Sequence, residues 1–188
     1  MSARFIYLHG FASGPASRKA RFFKEKLEAR GGAVLVPDLA PDFEHTTITD
    51  QLARAVALLG DSPVILVGSS MGGYISALAA AGKMRERIRG LVLLAPAFRL
   101  AERWKARMEP LHYGFLEDAG THPPLPSVKQ PVIAFAGTKD TLVEVPVVRE
   151  FCEAGEGREL VVVEADHDLV EALDEIWSRT ASWLDRLG

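Results

Sequence analysis

Apolar positions along this chain fall into two kinds of run that alternate. Six short stretches are apolar at consecutive positions: RFIYLH from Arg4, AVLVP from Ala33, PVILVG from Pro63, GLVLLA from Gly90, PVIAFAG from Pro131 and ELVVVEA from Glu159. Continuous runs of this length predict parallel strands covered on both faces, because a strand with one wet face would alternate. Between them the apolar positions recur three or four apart. Ala20, Phe23 and Leu27 do so within 16–30, and Ile48, Leu52, Ala55, Val56 and Leu59 within 48–59, where Thr47 or Thr49 can cap. Residues 72–82 and 168–186 complete the predicted helices.

Strand and helix alternate from end to end, which predicts a three-layer α/β domain around a mainly parallel six-stranded sheet. One interruption stands out, residues 97–128 between the fourth and fifth strands. A connection of that length in a compact domain carries function or small helices of its own. Within it Ala97, Ala101, Trp104 and Met108 fall on one helical face, so the segment reads as a short lid inserted into a single domain spanning 1–188. Together with Tyr113, Phe115 and Leu116, Trp104 and Met108 are the candidates to wall a substrate pocket.

Composition narrows the classes. At 188 residues, 48% of them apolar and 25% charged, the chain can bury a core without a cofactor or disulfides. A net charge of -3 supplies no field for nucleic acid or a membrane surface. Cys152 is the one cysteine and reads as a small buried hydrophobe. MSARFIYLHG lacks the pattern of a secretory leader, and no apolar run has the length of a membrane span, so a cytoplasmic location is expected.

The chemistry gathers where the predicted strands end. In open parallel sheets the carboxyl ends of the strands form the functional edge. The third strand runs into Gly68-Ser69-Ser70-Met71-Gly72, which fits G-x-S-x-G with Ser70 at its centre. The fifth ends in GTKDTLV, carrying Asp140, and the sixth in EADHDL, carrying His167. A serine hydroxyl becomes a nucleophile when a neutral imidazole takes its proton, and a carboxylate on the other ring nitrogen fixes the tautomer. Ser69 lies off the motif's centre, Asp166 and Asp168 are too near in sequence to bridge to the ring of His167, and Asp118 falls in the lid. The attacked carbonyl becomes an oxyanion that needs N–H donors aimed at it; Met71 and Phe11 are the candidates. His45, His112 and His122 show no ligand spacing, and neither a metal nor a cofactor is expected. Arg99, Arg103, Lys105 and Arg107 could meet an acidic substrate, though a solvated helix face explains them more simply.

At YLHGFASGPASRKA, joined to LVGSSMGGY, the chain resembles the small bacterial esterases of the YqiA type within the α/β-hydrolase superfamily. The resemblance implies a three-layer α/β-hydrolase fold that lacks the first two strands of larger relatives. It implies hydrolysis of small to medium carboxylic esters or acyl thioesters through an acyl-serine. Ser70, Asp140 and His167 would form the triad, Phe11 and Met71 would give the oxyanion donors, and His9 would be a structural part of the loop after the first strand. Residues 97–128 match that pattern poorly, so the small-molecule substrate is left open, as is the oligomeric state. The competing class is a non-catalytic binding module that keeps the fold.

Overall fold

The computed structural model describes residues 3–11, 13–42, 44–104 and 114–187. All six predicted strands form: β1 (Arg4–Leu8), β2 (Ala33–Leu35), β3 (Val64–Ser69), β4 (Ile88–Leu94), β5 (Val132–Gly137) and β6 (Arg158–Val163). They make one sheet in the order β2-β1-β3-β4-β5-β6, and every pairing is parallel. The chain lays β2 on one side of β1 and β3 on the other, so its direction of growth reverses at the β1/β3 pair. A reversal of this kind opens a crevice at the carboxyl edge, since the loops leaving the two strands part to opposite faces.

Helices cover both faces. α1 (Arg18–Ala29) and α7 (Leu173–Leu187) lie on one; α2 (Ile48–Ala57), α3 (Met71–Ala81) and α6 (Val145–Glu153) lie on the other. Strand side chains alternate between the two cores, as the pleat requires. Phe5 and Tyr7 of β1 with Ile65 and Val67 of β3 join Phe23, Leu27, Ile176 and Trp183; Ile6 and Leu8 with Val64 and Leu66 join Tyr74, Val148 and Phe151. Both faces of the central strands are therefore dry, the physical cause of their unbroken apolar runs.

The helix ends follow local chemistry. Ser17 caps α1 by accepting from the Ala20 N–H at 3.3 Å. Thr47, not Thr49, caps α2, in a reciprocal box with Asp50. The Thr49 N–H and hydroxyl donate instead to Asp118 at 2.9 and 2.6 Å, tying α2 to α5 (Phe115–Gly120).

Three elements differ from expectation. The last helix begins at Leu173 rather than near residue 168, after Leu169 at φ 55° and a 3₁₀ turn over Val170–Ala172. Between β4 and β5, Arg99 at φ 56° breaks the face expected from Ala97 onward; Ala97 is buried ahead of α4 (Leu100–Trp104). α6 has no counterpart among the predicted helices. Val147, Val148, Phe151 and Cys152 recur at helical spacing and form its buried face, a stripe that marks the helix in the sequence as well.

Candidate active site

A tight turn joins β3 to α3, with Ser70 alone between Ser69 and Met71. Ser70 sits at φ 52°, ψ −114°, a region that costs roughly 1–3 kcal/mol for a residue with a side chain. Surrounding hydrogen bonds hold it there: its N–H donates to the Leu94 carbonyl at 2.8 Å, and its carbonyl accepts from the N–H groups of Gly73 and Ala97 at 3.0 and 2.9 Å. The flanking glycines follow from close approach. A Cβ at Gly72 would run into the Leu8 and His9 carbonyls, and one at Gly68 into the Gly72 backbone and the Ser76 hydroxyl. The turn thus lies against the end of β1 and presents Ser70 at the edge where β1 and β3 part.

Two further loops arrive at the same edge and are stitched to each other. The Thr138 N–H donates to the Val163 carbonyl and the Lys139 N–H to that of Ala165, both at 2.9 Å, which fixes the loop after β5 against the loop after β6. The first carries Asp140, the second His167. Asp140 Oδ1 accepts the N–H groups of Leu142 and Val143, each at 2.8 Å, leaving Oδ2 to His167 Nδ1 at 2.8 Å. On the far side of the ring, His167 Nε2 lies 2.9 Å from Ser70 Oγ.

Burial pushes the Asp140 carboxyl up, but the bonds from His167, Val143 and Leu142 together outweigh it and hold the group below the ordinary carboxylate range. An ionised Asp140 can only accept, so Nδ1 of a neutral His167 carries the proton and Nε2 is free to accept from the serine hydroxyl. The Asp140 side chain is fully buried, whereas that of His167 is 18% exposed, so the serine end of the row faces solvent.

His9 is built differently. It is buried, its Nε2 accepts the Leu39 N–H at 3.0 Å, and its Nδ1 reaches the Gly10 carbonyl at 3.0 Å. Both nitrogens are engaged by backbone, which makes His9 a brace of the loop after β1. That loop rests on the turn below it, since a Cβ on Gly10 would come within 3.3 Å of Ser70 Cβ. Phe11 follows on the same loop, and Met71 opens α3 immediately after Ser70.

A cleft of about 240 Å³ opens here, lined among others by Phe11, Arg18, Lys19, Ser70, His167 and Asp168. Arg18 and Lys19 lie outside the residues singled out from sequence; their place at the start of the helix after the HGF loop was the available signal. Of the expected pocket residues, Phe115 is buried, with its ring 5.6 Å from that of Phe11, and Leu116 is half-buried against the neighbouring core. Neither lines this cleft. The Trp104 side chain, Met108 and Tyr113 lie outside the described residues, as do Lys105, Arg107 and His112. Arg99 is engaged by Glu150 and Glu102, and Arg103 donates to the Leu142 carbonyl, so both serve to pack α4 against its surroundings. Burial pushes the Cys152 thiol up to about 11, in keeping with its reading as a hydrophobe.

The relatives agree with this architecture. A profile of the uncharacterised protein family UPF0227 matches residues 4–181. The chain belongs to that family. Its fold is that of the α/β hydrolases. Mouse alpha/beta hydrolase domain-containing protein 10 superposes with a TM-score of 0.88 at 20% identity, over 100% of this chain and 92% of its own. Est1E from Butyrivibrio proteoclasticus, solved with ferulic acid bound, gives 0.88 at 20% identity, covering 98% of this chain and 89% of its own. The esterase Pf2001 of Pyrococcus furiosus gives 0.80 at 25% identity, covering 100% and 84%. A sequence search among curated proteins finds no match. Among the described residues no helix is long and apolar enough to cross a membrane, and no three His, Cys, Asp or Glu side chains group as metal ligands do.

Proposed function

We propose that this protein is a serine hydrolase that cleaves carboxylic esters or acyl thioesters through an acyl-Ser70 intermediate. The observation that carries the reading is the unbroken row Ser70–His167–Asp140, with contacts of 2.9 and 2.8 Å at the carboxyl edge of the sheet. The esterases among its structural neighbours support the reaction class.

In this mechanism Ser70 Oγ attacks the carbonyl carbon while its proton passes to His167 Nε2. The resulting imidazolium is stabilised by Asp140, which the Leu142 and Val143 N–H groups hold in place. Charge developing on the carbonyl oxygen is met by the backbone N–H groups of Met71 and Phe11; donors fixed in advance need no reorganisation during the reaction. Collapse breaks the bond to the alcohol or thiol, which leaves with the proton from His167. A water molecule activated by the same imidazole then repeats the sequence on the acyl-enzyme and frees the acid and Ser70.

Labelling by a fluorophosphonate probe tests the proposal. Covalent modification of the wild type, its loss in Ser70→Ala, and a fall in ester hydrolysis of at least about 10³-fold in that variant are expected, because the three residues act as a unit. Ser69→Ala should remain active and label. Labelling that persists in Ser70→Ala and vanishes in Ser69→Ala would show the nucleophile assignment to be wrong.

A further inference from the structure

One wall of the cleft carries cations that the reaction at Ser70 does not use. Arg18 is exposed there, and among the described residues its guanidinium has neither ion pair nor hydrogen bond. The Lys19 side chain is only 13% exposed, and its ammonium meets Asp168, itself 77% exposed, at 3.7 Å. Burial draws the Lys19 ammonium below the usual lysine range, and the charges of Asp168, Asp166 and Asp140 offset this only in part. Behind them lies Tyr7, fully buried and also part of the lining, whose hydroxyl has no hydrogen-bond partner among the described residues; the Ser69 hydroxyl lies beside it, outside bonding geometry.

The Tyr7 hydroxyl and the Lys19 ammonium are costly as they stand. A buried hydroxyl left unpartnered and a cation drawn out of water both weigh against folding unless something completes them. The charged residues lining the cleft are Arg18, Lys19 and Asp168, two positive against one negative, in a chain whose net charge is -3. Asp166 and Asp140 stand behind them, close enough to act on the Lys19 ammonium.

We propose that this wall recognises an oxyanion on the substrate: the ester brought to Ser70 carries a carboxylate or phosphate that pairs with Arg18 and Lys19. Asp168 then holds the Lys19 ammonium in place, and the Ser69 and Tyr7 hydroxyls back the site as neutral donors. The inference rests on the proposed hydrolysis for the identity of the bound molecule, while the binding itself can be measured apart from turnover.

The test is equilibrium binding to the Ser70→Ala protein, which lacks the nucleophile, by ligand-observed NMR titration. Monomethyl glutarate and dimethyl glutarate differ by one charge on the same chain. The monoester should bind at least about tenfold more tightly at low ionic strength, the advantage shrinking as salt is added. Arg18→Glu in the same background should abolish that preference; Lys19→Gln should weaken it where that variant folds. Inorganic phosphate as competitor separates the two oxyanions: displacement at a concentration similar to that of the monoester assigns the site to phosphates, and resistance to it assigns the site to carboxylates. Equal binding of the two esters, or a preference that survives Arg18→Glu, overturns the proposal. Because no bond is broken in this measurement, its result stands whether or not Ser70 proves to be the nucleophile.

Discussion

At the scale of single residues, His167 and Asp140 set the pH behaviour. Nε2 of an imidazolium has no lone pair for the serine proton, so ester hydrolysis should fall on acidification, and His167→Ala should lose both the activity and that limb of the profile. Retention of wild-type turnover and the same profile in His167→Ala would remove it from the mechanism. Asp140 makes a separate prediction about stability. Its carboxyl is held below the ordinary range in the folded protein, so the unfolded chain takes up its proton first as pH falls. The stabilisation is therefore complete above the unfolded value near about 4 and lost as pH drops through the lower folded value. The difference in melting temperature between wild type and Asp140→Asn should be greatest above that point and shrink below it. A difference that stays constant into strong acid would contradict the assigned bonds.

At the scale of elements, the β3–α3 turn is the part of the site with least tolerance. Gly72 faces the Leu8 and His9 carbonyls, and backbone cannot swing aside as a side chain can. Gly72→Ala should destabilise the protein by at least about 2 kcal/mol in urea unfolding, the range of overpacking in a dense interior, and lower activity by displacing Ser70. A variant with wild-type stability and activity would mean that β1 and α3 are not in contact here. The G-x-S-x-G pattern marks this turn from sequence because its constraint is local. α6 carries a local signal too, since Val147, Val148, Phe151 and Cys152 repeat at the helical period.

At the scale of the whole molecule, the size of the site should appear as a limit on chain length. The cleft formed by the described residues is about 240 Å³, below the roughly 300–1,000 Å³ of pockets that enclose drug-sized ligands. Phe115 is already committed to its contact with Phe11 and the core. Each methylene buried should strengthen binding by about 0.8 kcal/mol until the space is full. Across p-nitrophenyl esters, kcat/KM should therefore rise and then fall, with its maximum at short or medium chains. A steady increase to sixteen carbons would instead indicate an extended lipid site.

The sequence by itself determined the layers, the six strands, the turn at Ser70 and the three residues brought together there. Each of these is written in a local signal: unbroken apolar runs for strands, a three-to-four spacing for helices, small residues where backbone crosses backbone. The edge strands β2 and β6 carry the same runs yet are partly exposed, with Leu35 and Val162 open to solvent, so the expected cover on both faces holds for the four central strands only. Convergence across 97 residues between Ser70 and His167, and 27 between Asp140 and His167, could be anticipated only because all three follow strands of one parallel sheet. Tertiary structure alone decided the rest. It set the break at Arg99, the burial of Phe115 away from the cleft, and the choice of Arg18 and Lys19 over Arg99 and Arg103 as the cations beside Ser70. A charge carries no mark in sequence of what it will face; its partner is fixed when the chain reverses direction at β1 and β3 and lays the start of α1 along the cleft.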